Sequence, residues 1–182
     1  TNVNQMVTFA KNMTPEEMES AAAYFSSIPW TQWIRVVEAK MVRKTEAEGS
    51  IFFKAKEGGM EPIGMRVIET PEDDEQTEPL RNPRSGFIAY VPPGAIKKGE
   101  ALVTTGGGEK TMQCAFCHGA GLQGLGPVPG LAGRSPSYLV RQMYDMQAGA
   151  RKGVWTDLMK PIVAKLTDED FVSIAAYLSS RM

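Results

Sequence analysis

Cys114, Cys117 and His118 are the only cysteines and the only histidine of the 182-residue chain, and they fall within five positions, Cys114-Ala115-Phe116-Cys117-His118. Two thiols three positions apart can each add to one vinyl group along one edge of a porphyrin. The imidazole that follows at once then reaches the iron from the proximal side. This is the attachment pattern of a c-type haem. Two other chemistries use a Cys-x-x-Cys. A zinc site needs four ligands, and no second pair is present to close one. A dithiol redox pair of thioredoxin type sits in a βαβ context, which the flanking sequence lacks. Covalent haem on Cys114 and Cys117, with His118 on the iron, is the reading that the spacing favours. Both thiols are then used, and none is left for a disulfide.

The sixth iron ligand needs a separate argument. A second histidine could come only from another chain, so thioether sulfur is the natural candidate, and Met/His ligation raises the reduction potential. The chain has eleven methionines. Met143 and Met146 share a helical stripe with Leu139 and read as core. Met159 falls on no such stripe. It reads as a loop residue, with Pro161 holding the backbone extended, and is the preferred iron ligand.

Several elements must position these groups. Ala95–Thr104 reads as a helix with Leu102 and Val103 buried, and Gly99 lets another helix approach closely. Gly106-Gly107-Gly108 reads as a flexible loop, since no Lys-Ser/Thr pair follows to make a phosphate cradle. A Gly- and Pro-rich loop runs from His118 to Gly133. Ser135 caps a helix that has Pro136 in its first turn. Gly149 and Gly153 bracket a loop before Trp155. Thr167 caps a final helix with Phe171, Ile174, Ala175 and Leu178 on one face. Together these predict an all-α domain wrapped around one cofactor.

The end of the chain repeats its beginning. Residues 159–170 and 173–180 align without a gap on residues 6–17 and 20–27, at a constant offset of 153. Both copies place a Thr three residues before an acid and ahead of an amphipathic run, a helix N-cap pattern. Residues 1–30 therefore read as the end of another haem domain whose first part, with its own Cys-x-x-Cys-His, is not in this sequence. Met6 aligns with Met159 and reads here as an ordinary side chain. Met18, Ala21, Ala22 and Phe25 form an apolar face on the copied helix.

Residues 31–93 differ in character and read as a small β-rich connector. Strands are predicted over Trp33–Val42, Ile51–Lys56, Met65–Glu69 and Gly86–Val91, with Gly58-Gly59 as a turn and residues 71–76 as an acidic surface loop.

The order Cys114-x-x-Cys117-His118, Pro129-Gly-Leu-Ala-Gly133, Tyr138 to Gly149-x-Arg151, Met159-x-Pro161, Leu166-Thr-Asp-Glu-Asp170 and Ala175-Ala176-Tyr177 resembles the class I c-type cytochromes. The resemblance covers residues 95–182 and, with the repeat, implies a two-haem member. It implies a mainly α fold: a cytochrome c domain at 94–182, the β-rich connector at 31–93, and the remnant at 1–30. It also implies that the Pro129 carbonyl accepts the second ring N–H of His118, which fixes the tautomer, and that Met159 stands at the family's distal position. A second haem c is expected in the absent N-terminal part.

An iron with both axial positions filled by protein has no open site for substrate. The chain therefore reads as a one-electron carrier in a periplasmic chain, not an enzyme. The alternative is an electron-accepting subunit of a periplasmic dehydrogenase or oxidase. A gas-binding haem would need Met159 displaced. The expected partner is a redox protein: a dehydrogenase, an oxidase or another cytochrome. With a formal charge of −1, nothing calls for nucleic acid, and no apolar run is long enough to cross a bilayer. No export signal is visible, so the sequence reads as mature or trimmed. Residues 86–182 carry +3 and the remainder −4, with Arg151, Lys152, Lys160 and Lys165 flanking Met159. These could form a basic collar for an acidic partner or a solvated face.

Overall fold

The computed structural model describes residues 3–29, 31–48, 52–153 and 155–182. They divide into two compact units, Thr1–Thr31 and Gln32–Met182. The first holds two helices, α1 (Val3–Asn12) and α2 (Pro15–Ser27). The Thr14 hydroxyl accepts from the Glu17 N–H at 3.2 Å and the Glu17 carboxylate accepts from the Thr14 N–H at 2.8 Å. This is a reciprocal capping box that satisfies two otherwise orphan donors. No α2 residue is buried. Helix α1 was not predicted, because its alignment partner around Met159 read as loop.

The second unit begins with five strands and one short helix. They are β1 (Ile34–Glu38), β2 (Met41–Glu48), β3 (Phe52–Pro62), β4 (Ile68–Pro71), α3 (Asp74–Thr77) and β5 (Phe87–Val91). The single strand expected over Trp33–Val42 is two strands in different sheets, parted at Ala39 and Lys40. The third lies later than expected, because residues 64 and 65 form a turn, and the acidic loop winds into α3 behind an Asp73 cap. Of the second expected strand, Ile51 lies outside the described residues, and Gly58-Gly59 continues β3 instead of turning. Strand β5 is central, parallel to β1 (Ile34 opposite Phe87) and antiparallel to β4 (Pro71 opposite Phe87). Strands β2 and β3 form a separate antiparallel hairpin.

Five helices follow: α4 (Ala95–Thr105), α5 (Ala115–His118), α6 (Pro136–Gln147), α7 (Thr156–Val163) and α8 (Asp168–Ser179). Their core is built from Leu102 and Val103 of α4, Leu139 of α6, Val163 of α7 and Phe171, Ile174 and Leu178 of α8. Gly99 sits where α4 crosses α8. A Cβ there would run into the Ser173 carbonyl and the Tyr177 side chain, so only glycine permits this approach.

The strands are fastened to the helices by two carboxylates. Helix α4 starts after Gly94, which has no side chain to cap it, and the Ile96 N–H donates instead to Glu38 of β1 at 3.0 Å. At the start of α6, Glu69 of β4 accepts from the Ser137 N–H at 2.7 Å and from the Ser135 hydroxyl at 2.9 Å. A carboxylate at a helix N-terminus satisfies orphan donors and faces the positive end of the helix dipole. Val91, Ala95 and Ala176 form a second small core, against which Val36, Val67 and Ile96 pack.

Candidate haem site

The Cys-x-x-Cys-His segment is held at both ends. Helix α4 stops at Gly106, whose φ of +76° suits glycine, and its N–H closes on the Leu102 carbonyl. The chain then turns through residues 107–110 and returns to α4, where the Cys114 N–H donates to the Val103 carbonyl at 3.0 Å. The glycine loop is thus a tight reversal with three left-handed glycines, not a flexible tether. From Cys114 one turn of helix carries the motif, and the His118 N–H bonds the Cys114 carbonyl at 3.0 Å.

His118 is buried and its Nδ1 lies 2.7 Å from the Pro129 carbonyl. A carbonyl can only accept, so Nδ1 carries the proton and Nε2 presents a lone pair. The intervening loop folds back on itself to make this contact. The Gly124 N–H bonds the His118 carbonyl, and the N–H groups of Leu131 and Ala132 both bond the Leu122 carbonyl. Beyond Pro129 the segment is pinned to the end of α8, where the Ser179 hydroxyl donates to the Arg134 carbonyl at 2.6 Å.

The two thiols differ in setting. Cys117 is exposed and Cys114 half-buried. Burial pushes the Cys114 thiol up to about 11, and the neighbouring Cys117 adds to the effect. A reactive redox pair is marked by a depressed thiol, so this environment speaks against the dithiol reading. Among the described residues no three His, Cys, Asp or Glu side chains converge as metal ligands, which leaves the zinc reading without a ligand set.

Met159 lies within α7, one turn in from its start, and not in a loop. Pro161 is inside that helix and lacks the N–H that would have reached the Asp157 carbonyl, on an exposed residue where water can serve. Proline therefore thins the helix here without ending it. Met159 packs half-buried against the main core, as do Met143 and Met146 of α6. Ala115, Leu131 and Val140 share this condition. These apolar side chains touch the core yet stay partly uncovered, a surface suited to a large apolar cofactor. Together with two thiols and a histidine lone pair on one helical turn, the donor set fits a covalent haem.

Two residues that sequence reasoning passed over grip α7. The Thr111 hydroxyl donates to the Ile162 carbonyl at 2.8 Å, and the Gln147 amide donates to the Val163 and Leu166 carbonyls at 2.7 and 2.8 Å. Neither residue stands in a motif, and both partners are distant in sequence.

The family described as cytochrome c oxidase, cbb3-type, subunit III, matches residues 94–178. Cytochrome c-554(548) of Halomonas halodenitrificans is 43% identical over 76 residues, which are 41% of this chain and 92% of that protein. The thiosulfate dehydrogenase electron acceptor of Stutzerimonas stutzeri is 38% identical over 85 residues, covering 45% of this chain and 38% of that protein. Cytochrome c4 of Stutzerimonas stutzeri is 28% identical over 133 residues, covering 66% of this chain and 63% of that protein. The chain therefore spans less than two thirds of the length of the last two.

Proposed function

The chain is an electron-transfer protein of the class I c-type cytochromes, carrying covalent haem c, and from that premise we propose that it relays single electrons on the periplasmic side through a His/Met-ligated iron. Cys114 and Cys117 would hold the haem, and His118 and Met159 the iron. When bound, the haem supplies a one-electron iron couple. The chain's own residues do the rest. The Pro129 carbonyl accepts the Nδ1–H of His118 and keeps the Nε2 lone pair directed away from that bond, a hydrogen bond that also raises the basicity of the ring. The Met159 thioether would be the second protein donor to the iron, which would leave no open position for substrate and would raise the potential. The 2.7 Å contact between His118 and Pro129 is the observation that carries this reading.

Replacing Met159 by Ala tests it. The variant is expected to keep its covalent haem, lose the weak absorption band at the red end that reports iron–thioether bonding, and bind carbon monoxide when reduced. The same result from Met143→Ala or Met146→Ala instead would move the ligand to α6.

A narrower role as the electron-accepting subunit of a periplasmic dehydrogenase draws support from the likeness to thiosulfate dehydrogenase electron acceptors. Rapid reduction of the purified protein by such a dehydrogenase and its substrate would favour it. Among the described residues no helix is long and apolar enough to cross a membrane.

The repeat extends to elements. At the offset of 153, α1 falls on α7 and α2 on α8, and both second helices open on a Thr capping box. This supports residues 1–30 as the closing helices of a first cytochrome domain with its own haem c, residues 31–93 as the β-rich insert, and residues 94–182 as the haem domain. Coding sequence upstream of Thr1 with a second Cys-x-x-Cys-His is the expected finding, and its absence would reduce the protein to one haem.

A further inference from the structure

Helix α7 cannot hold itself in place. It has eight residues, a proline inside, and no side-chain cap at its N-terminus. A helix this short is unstable alone, and its last carbonyls have no partners within it. Three carbonyls at its C-terminal end and the turn beyond, those of Ile162, Val163 and Leu166, are instead bonded by side chains from elsewhere. Thr111 comes from the segment just before Cys114, and Gln147 is the last residue of α6. The Thr111 segment is itself fixed, since the Thr111 N–H bonds the Gly106 carbonyl and Lys110 pairs with the buried Asp170 carboxylate of α8. Val163, at the end of α7, is buried in the main core and sets the depth of the helix.

We propose that Thr111 and Gln147 are positioning residues for the sixth iron ligand, holding α7 so that the Met159 thioether stays on the iron against competing ligands. The inference rests on the assignment of Met159 made above. Met159 lies one turn before the gripped carbonyls, so releasing them frees the part of α7 that carries it. Thr111 stands three residues before Cys114, and through it the backbone that carries the haem attachment also carries one of the two grips on the ligand helix. The segment that carries Cys114 and His118 and the helix that carries Met159 are thereby tied through one hydroxyl.

The test uses the holoprotein and reads ligand competition. Imidazole is titrated into the oxidised form and carbon monoxide into the reduced form of Thr111→Val, Thr111→Ser, Gln147→Leu and Met159→Ala. Thr111→Val keeps the side-chain shape without a donor, and Gln147→Leu removes both donated hydrogen bonds. Both are expected to keep the covalent haem and the red-end band; Thr111→Val should bind imidazole on the order of ten-fold more tightly, as for one lost hydrogen bond, and Gln147→Leu, which loses two, at least as much. Thr111→Ser, which retains the hydroxyl, should stay close to the parent protein. Variants that lose only thermal stability, with imidazole affinity unmoved, would overturn the inference while Met159→Ala still loses its band. A band that survives in Met159→Ala would instead overturn the ligand assignment on which it rests. Should Gln147→Leu fail to fold, the Val and Ser variants of Thr111 decide the matter.

Discussion

Helices α2 and α8 carry one sequence pattern into opposite surroundings. Both begin at a Thr whose hydroxyl and backbone exchange hydrogen bonds with an acid three residues on, Glu17 in one and Asp170 in the other. Both then run through Ala-Ala-aromatic, Ala22-Ala23-Tyr24 and Ala175-Ala176-Tyr177. Yet ten residues of α8 are buried and none of α2. A cap and a helical stripe dictate where a helix starts and which face is apolar. Burial depends on what the rest of the chain brings to that face, and for α8 this is α4, with Gly99 at the crossing, and α6.

The largest contrast should come from the aligned apolar pair Phe171 and Met18, which are 1% and 46% exposed. Phe171→Ala leaves a cavity under α8 and is expected to cost about 3–5 kcal/mol in denaturant unfolding. Met18→Ala should change the same midpoint by less than about 0.5 kcal/mol. Equal costs would mean that α2 is covered in solution as fully as α8, and the contrast would fall.

The acid of the buried cap also responds to its surroundings. Burial alone would push the Asp170 carboxyl up, but the Lys110 ammonium, the Thr167 N–H and hydroxyl, and Lys98 outweigh it and hold the group well below the usual carboxylate range. A carboxyl lowered in the folded state contributes stability that is complete above the ordinary carboxylate pKa and is lost as pH falls through and below it. Asp170→Asn is therefore expected to cost on the order of 2 kcal/mol at neutral pH, and less as pH falls. Urea midpoints of parent and variant between neutral pH and pH 3 should converge toward the acid end. Parallel curves would show that Asp170 does not titrate between the two states.

What the sequence disclosed follows the same division between local and non-local physics. The Thr167 and Ser135 caps, the α8 stripe and the close approach at Gly99 are legible because their signals lie within a few residues. Met159 was misread as loop because Pro161 ordinarily opposes helix, and the donors that hold α7 come from Thr111 and Gln147. The single strand expected over Trp33–Val42 failed because β1 pairs with β5, more than fifty residues away. The fastening of α4 by Glu38 left one faint trace: a helix that begins after Gly94 has no side-chain cap of its own and must find one elsewhere. At the candidate haem site, the Cys-x-x-Cys-His pattern was legible from residue types and spacing, whereas the helical setting of Met159 was not. Thr111 and Gln147 were not, because neither lies near its partner in sequence.

The smallest expected effect separates the two caps themselves. Thr167→Ala removes an acceptor from the Asp170 N–H and a donor to the Asp170 carboxylate, inside a buried helix end. Its cost should appear in global unfolding, at about 1–2 kcal/mol. Thr14→Ala removes the matching acceptor from a 13-residue helix with no buried residue. A helix of that length is marginal without packing, so the loss should appear as local opening and not as global unfolding. Amide exchange over residues 18–24 is expected to quicken about five-fold, as for roughly 1 kcal/mol of lost cap, while the global midpoint stays within about 0.5 kcal/mol of the parent. If Thr14→Ala instead lowers the global midpoint as far as Thr167→Ala does, α2 unfolds together with α8. The two helices would then differ in exposure but not in the cooperative unit to which they belong, and the contrast drawn from burial would not extend to stability.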